Sequence, residues 1–195
     1  MSNDLISIIL CTKNNVIDPL VYDSINKQTY HPIELIIECG SDNNNAVRNR
    51  GFAKSTGKYI FFMDEDIILH TNCIEMLHNQ LTRCQVDFSY CNYDRQGALS
   101  GIQSGKIFDY ESLKKMNYIS TMSLMKRKIF TKFDIKIKRL QDWDLFLDIC
   151  AKGYTGTWVD EVLFLALYRD GDISTKGGEH WTNSVEIIKK KHNIQ

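Results

Sequence analysis

Apolar and polar positions alternate in blocks along this chain. Residues 5–11 (LISIILC) are an unbroken apolar run, as expected of a strand covered on both faces. Polar residues 12–15 stop it. Asp18 then offers a capping carboxylate directly before Pro19, which suits a first helical turn, so a helix is predicted over 19–28. Residues 33–38 (IELIIE) predict a second strand, followed by a Gly40-Ser41-Asp42 loop. A helix over 45–55 is expected to close on Gly57. Residues 59–63 (YIFFM) read as a third strand and 86–90 as a fourth. Between them, 71–83 sets Ile74, Leu77, His78 and Leu81 on one side of a helix.

Strand and helix therefore alternate through the first half. That pattern predicts an α/β fold with a mixed, mostly parallel sheet and helices on both faces. Such sheets bind ligands beyond the carboxyl ends of their strands. Three polar clusters fall there: Thr12-Lys13-Asn14, residues 38–42, and Asp64-Glu65-Asp66. The second half is less regular. Residues 95–106, rich in Gly, Ser and Gln, read as a mobile loop, as do 170–179, and both suit a lid. A strand is expected over 121–126 with a short helix to 133, a strong helix over 142–152 ended by Gly153, a strand over 162–168 and an amphipathic helix over 182–192.

Composition narrows the function. The 195 residues suggest one domain, with a first half (1–93) and a second half (94–195) that divide the work, either as a whole protein or as a module of a longer one. The chain has 24 basic and 24 acidic residues, so it lacks the basic footprint of a nucleic-acid binder. Six cysteines show no C-x-x-C pair and mostly sit in apolar runs, which suggests reduced, buried thiols in a cytoplasmic setting. No signal-peptide pattern or transmembrane run is visible.

One stretch stands out. In GKYIFFMDEDIILH, three carboxylates interrupt a strongly apolar segment. A solvated turn would hold them at little cost. A divalent cation would suit them better, because hard oxygen ligands on a short turn fit Mg²⁺ or Mn²⁺.

Four segments together resemble the family 2 glycosyltransferases of the GT-A fold. They are SIILCTKNN with SINKQTYHPIELII behind it; AVRNRGFAKSTGKYIFFMDED; SLMKRKIFTKFD followed by QDWDLFLDICAKGY; and YRDGDIS. They stand in the family's order and span most of the chain. The resemblance implies a GT-A, Rossmann-like domain that uses Mn²⁺ or Mg²⁺. It implies a UDP-sugar donor and a glycan, lipid or glycoprotein acceptor. Asp66 matches the metal-ligating position, and Asp64 the one near the ribose and the metal's water shell, with Glu65 between them. Thr12 and Asn14 match the nucleotide pocket, Glu38 a carboxylate that accepts from the base, and Arg48 an arginine facing base or diphosphate. Arg169 matches a residue that closes over the diphosphate. Asp142 matches the general base of an inverting transfer.

The chain also departs from the family. Lys13 stands where an aromatic often stacks on the base, Cys39 replaces an aspartate, Gln141 a glutamate, and Gly171 a histidine, which leaves Asp172, His180 or water as its replacement. Plainer roles compete for single residues: a surface cation for Arg48, a helix N-cap for Asp142, ordinary packing for Trp143. Two rival functions stay open: a non-catalytic nucleotide- or glycan-binding module, and a nucleotidyltransferase. The second would want a glycine-rich loop after the first strand, and CTKNNVID has no glycine.

Overall fold

The computed structural model describes residues 4–41, 43–168 and 179–194. In chain order its elements are β1 (Ile6–Thr12), α1 (Pro19–Asn26), β2 (Ile33–Cys39), α2 (Asn44–Lys54), β3 (Tyr59–Asp64), β4 (Ile67–Leu69) and α3 (Cys73–Arg83). There follow β5 (Phe88–Gly97), β6 (Gly101–Gln103), α4 (Tyr110–Lys115), β7 (Leu124–Lys126), a 3-10 turn (Arg127–Ile129), α5 (Gln141–Ala151), β8 (Gly156–Tyr168) and α6 (Glu179–His192).

The strands make one sheet in the order β2-β1-β3-β7-β5-β8-β4, with β6 on β5. β1 runs parallel to β2 and β3, and β5 parallel to β8. β7 lies antiparallel to both β3 and β5, which gives those two the same direction. β4 and β6 run against β8 and β5. So β1, β2, β3, β5 and β8 all point one way, and their carboxyl ends share one edge. The sheet is mixed and mostly parallel, as the alternation predicts, and it passes through both halves of the chain.

Burial follows from strand periodicity. Ile6, Ile8 and Leu10 of β1 face a core built with α1 and α3, while Ile9 and Cys11 face one built with α2, α5 and α6. Both faces are therefore covered, which is why β1 can be apolar without alternation. Asp18 caps α1 as expected, accepting from the Leu20 amide at 2.9 Å, with Pro19 behind it.

Several local expectations are corrected. Gly57 does not close α2; that helix ends on Ser55 in extended backbone, whose N–H reaches the Gly51 and Phe52 carbonyls. Gly57 instead lets the chain pass Ser7, where a Cβ would come within 2.7 Å of the Ser7 amide. Residues 95–106 are not simply a loop: β5 continues to Gly97 and pairs with β6 as a hairpin. β8 begins six residues earlier than expected, because its polar start pairs with β5. The segment 170–179, expected as a lid, lies outside the described residues except for the start of α6.

Candidate active site

A cleft of about 630 Å³ opens at the carboxyl edge of the sheet. Thr12 and Lys13 line it from the end of β1, Asp64, Glu65 and Asp66 from the end of β3, and Tyr93 and Tyr168 from β5 and β8. Arg48 enters from α2, and Gln141 and Asp142 from the start of α5. The topology thus brings distant segments to one place.

Arg48 is no surface cation. It is 1% exposed, and its Nη2 donates to Asp64 Oδ1 at 2.6 Å. Its Nη1 reaches Asn45 Oδ1 at 3.4 Å, and its guanidinium lies 5.4 Å from the centre of the Phe133 ring. Asn45 is itself fixed, donating to the Asp134 and Ile137 carbonyls at 2.8 Å each. Burial works against the charge on Arg48, but Asp64, Cys11 and Asp142 together outweigh it and hold the guanidinium's pKa above its ordinary value. Arg48 Nε and Thr12 Oγ1 are buried without a hydrogen-bond partner among the described residues. An unmet buried polar atom costs stability, about 1–3 kcal/mol. Both residues line the cleft, so a bound polar ligand is the natural partner for these atoms.

The three acids have three different surroundings. Asp64 gives one oxygen to Arg48. Glu65 accepts from the Lys13 amide at 2.9 Å and lies 3.8 Å from Lys13 Nζ, so it ties the end of β3 to the end of β1. Asp66 lines the cleft beside Tyr168, and its carbonyl accepts from Leu167 at 2.9 Å. Mg²⁺-type ions usually take one or two carboxylates and complete their shell with water and substrate phosphates. Asp64 and Asp66 fit that pattern. A three-ligand group occurs elsewhere, at Asp144, Asp148 and His192. There Lys191 Nζ already sits 2.8 Å from Asp144 and 2.7 Å from Asp148, so a side-chain cation occupies the position.

Asp142 does not cap α5. The residue before the helix is Leu140, in left-handed backbone with φ 58°, and Asp142 is the second helical residue. Its Oδ1 accepts from the Trp143 amide at 2.9 Å. Burial pushes its carboxyl pKa up, against the opposing pull of the Trp143 amide, the Asn117 side chain and Arg48. A base with a raised pKa is better matched to taking a proton near neutral pH. Trp143 packs in the core, as the plainer reading has it: it is 4% exposed, and its indole donates to the Leu113 carbonyl at 2.7 Å. Asp144 points away too, held by Lys191 and His192.

Two expected residues lie off the cleft. Glu38 is buried, does not line the cleft, and accepts from Arg50 Nε at 2.9 Å and from Lys54. Asn14 turns back on its own loop, accepting from the Val16 amide at 3.3 Å. Arg169, Asp172 and Ser174 lie outside the described residues, as does the side chain of His180.

Sequence reasoning missed Tyr93 and Tyr168, which line the cleft. Burial pushes both phenols up in pKa. Tyr168 was visible as the first letter of YRDGDIS, whereas Tyr93 carries no local signal.

Residues 40–134 match the sequence profile described as Glycosyl transferase family 2. Among solved structures, the S. aureus TarS 1-349 fragment aligns with a TM-score of 0.70 and 12% identity, over 95% of this chain and 64% of that one. A longer S. aureus TarS gives 0.71 and 10%, over 97% and 39%. The TarS 1-349 complex with UDP-GlcNAc gives 0.72 and 12%, over 95% and 66%. This chain therefore spans at most about two thirds of those chains. At such identities the likeness is one of fold. No curated protein matches the chain by sequence.

Proposed function

We propose, for a chain that belongs with the family 2 glycosyltransferases and has their GT-A fold, that the cleft is the active site of a metal-dependent, inverting hexosyltransferase. The donor would be a nucleotide-sugar, a UDP-sugar by analogy with the solved complexes of TarS with UDP and with UDP-GlcNAc. The acceptor would be a hydroxyl of a glycan, lipid or glycoprotein. Among the described residues no helix is long and apolar enough to cross a membrane.

The observation that supports this reading is the meeting of Asp142 with Asp64 and Asp66 in one cleft, with Arg48 between the two groups. Sugar transfer needs a carboxylate that takes the acceptor's proton, and positive charge where the nucleoside diphosphate departs. Asp142 would supply the first. Arg48 and Thr12 would donate to the nucleotide from the cleft floor, and Asp64 and Asp66 would hold the divalent ion. That ion, when bound, would neutralise charge on the leaving diphosphate. Tyr93 and Tyr168 would close the side of the cleft between the two carboxylate groups.

The test is release of UDP from UDP-GlcNAc in the presence of Mn²⁺. Asp142→Asn should cut turnover by about 10²-fold or more, the usual range for losing a general base. It should leave UDP affinity near wild type. A variant that turns over at full rate would remove Asp142 from the mechanism. A wild-type protein that binds UDP but never releases it from a donor would instead favour a binding module.

A further inference from the structure

We propose that residues 128–138 form a docking surface for an anionic lipid bilayer and set the mouth of the cleft against its headgroups. The chain has 24 basic and 24 acidic residues, but they are not spread evenly. Residues 126–139 (KRKIFTKFDIKIKR) carry seven cations and one carboxylate. Three of the cations have local partners. Lys126 pairs with Asp87 at 3.0 Å, Arg127 donates to Ser55 Oγ at 2.6 Å, and the Arg139 guanidinium lies 5.5 Å from the centre of the Trp181 ring. The other four, Lys128, Lys132, Lys136 and Lys138, are exposed and make no ion pair among the described residues. The carboxylate, Asp134, serves its own turn, with Oδ1 accepting from the Lys136 amide at 2.9 Å.

The same strip presents an apolar side chain to water. Ile135 is 56% exposed and stands in a turn with Lys136. That turn is firmly held. Asn43 Nδ2 donates to the Ile135 carbonyl at 2.8 Å, and Asn45 Nδ2 to the Asp134 and Ile137 carbonyls at 2.8 Å each. Asn49 of α2 both donates to and accepts from the Phe133 backbone, at 2.8 and 2.9 Å. Phe133 and Ile137, 3% and 2% exposed, anchor the two sides of the turn in the core. Ile135 is thereby fixed at the surface among Lys132, Lys136 and Lys138. A solvated charged loop gains nothing from a fixed, exposed isoleucine. A bilayer interface does: cations meet the anionic headgroups, and an apolar tip enters the acyl boundary. Trp181, 46% exposed, adds an aromatic of the interfacial kind at the Arg139 end. An anionic polymer would use the lysines and leave Ile135 idle, so the lipid surface is the better fit. The strip also ends at the cleft, where Ile137, Lys138, Arg139 and Leu140 line the wall that leads to Asp142. On the reading of the cleft as a sugar-transfer site, on which this last step rests, a bilayer at that rim selects the lipid among the acceptor classes.

The test is co-sedimentation of the whole chain with vesicles of phosphatidylglycerol and phosphatidylcholine in equal parts, against vesicles of phosphatidylcholine. Binding to the mixed vesicles and not to the neutral ones is expected at about 0.15 M salt, with release at about 1 M. Lys128→Gln, Lys132→Asn and Lys136→Gln together remove three charges from residues that do not line the cleft. Asn suits the φ of 74° at position 132. The triple variant should bind mixed vesicles about 10²-fold more weakly, at roughly fivefold per lysine, and keep wild-type UDP affinity. Ile135→Ser keeps every charge. It should weaken vesicle binding about fivefold and leave binding to inorganic polyphosphate unchanged. A wild-type protein that ignores the mixed vesicles would overturn the proposal, as would a triple variant that binds them as tightly as wild type. An Ile135→Ser variant with wild-type vesicle affinity would overturn the lipid partner in favour of an anionic polymer. Failure of the sugar-transfer reading shows separately, as vesicle binding without release of UDP from UDP-GlcNAc.

Discussion

At the scale of single residues, the cleft combines groups that stabilise the fold with groups that strain it. Asp142 is of the second kind. Because burial raises its pKa, the folded protein holds the proton more tightly than the unfolded chain does. Ionising Asp142 therefore costs stability, fully so above its folded pKa and not at all below the ordinary carboxylate range. Asn carries no charge to bury. Asp142→Asn should thus melt higher than wild type at neutral pH, with the gap closing as pH falls through the carboxylate range. A thermal melt series in pH checks this; a variant less stable than wild type at pH 7 would mean that the carboxylate is held more favourably than its burial implies. Asp66 and Glu65 should separate in the same spirit. Asp66→Ala should abolish the Mn²⁺ dependence of UDP binding in calorimetry. Glu65→Ala, which loses only the tie to Lys13, should leave that dependence in place.

At the scale of elements, one glycine sets how closely α2 approaches the sheet. A Cβ on Gly51 would lie 2.4 Å from Ile9 Cγ2, in the middle of β1. Alanine at a helical glycine gains about 1 kcal/mol of helix propensity. Overpacking against a central strand costs about 1–3 kcal/mol. The clash should win, and Gly51→Ala should lower the denaturation midpoint while also disturbing Arg48 on the same helix. Elements like β1, β3, α1 and α3 were legible in the sequence because each carries its own signal: an apolar run, a capped proline, an amphipathic stripe. β4 and β6 are three residues long and owe their pairing to partners far away in the chain, so no local pattern announces them. α4 is six residues long and docks on α5, where the Trp143 indole donates to the Leu113 carbonyl. The same logic divides the site. The DED turn was readable because motif and strand end coincide, and Asp142 because its QDWD segment opens a helix. The ion pairs of Glu38 with Arg50 and Lys54 of α2 were not legible, because sequence spacing does not reveal a contact between a strand end and a helix face.

At the scale of the whole molecule, acid should unfold the protein in two separable stages. His78 lies between Tyr30 and Tyr59, with ring centres 4.8 and 5.0 Å away, and neither of its ring nitrogens has a hydrogen-bond partner among the described residues. Burial lowers its pKa. The folded state therefore resists a proton that the unfolded chain accepts, so stability falls as pH drops below about 6.5, the ordinary histidine value, and levels off below the folded value. Glu34 and Glu38 act in the carboxylate range. Burial alone would raise both. Hydrogen bonds from Ser7 and Thr56 to Glu34, and from Lys54 and Arg50 to Glu38, outweigh it and hold both below the usual value. Their stabilisation is present above the ordinary carboxylate pKa of about 4.3 and is lost as pH falls through their lower folded values. Asp142 works in the opposite sense but is one group against two. The melting temperature should accordingly decline between pH 7 and 5, flatten, and decline again below pH ~4. His78→Phe keeps a ring between the tyrosines and removes the titration. It should abolish the first decline and leave the second intact. If the variant retains the pH 7 to 5 slope of the wild type, the acid sensitivity in that window lies elsewhere in the fold.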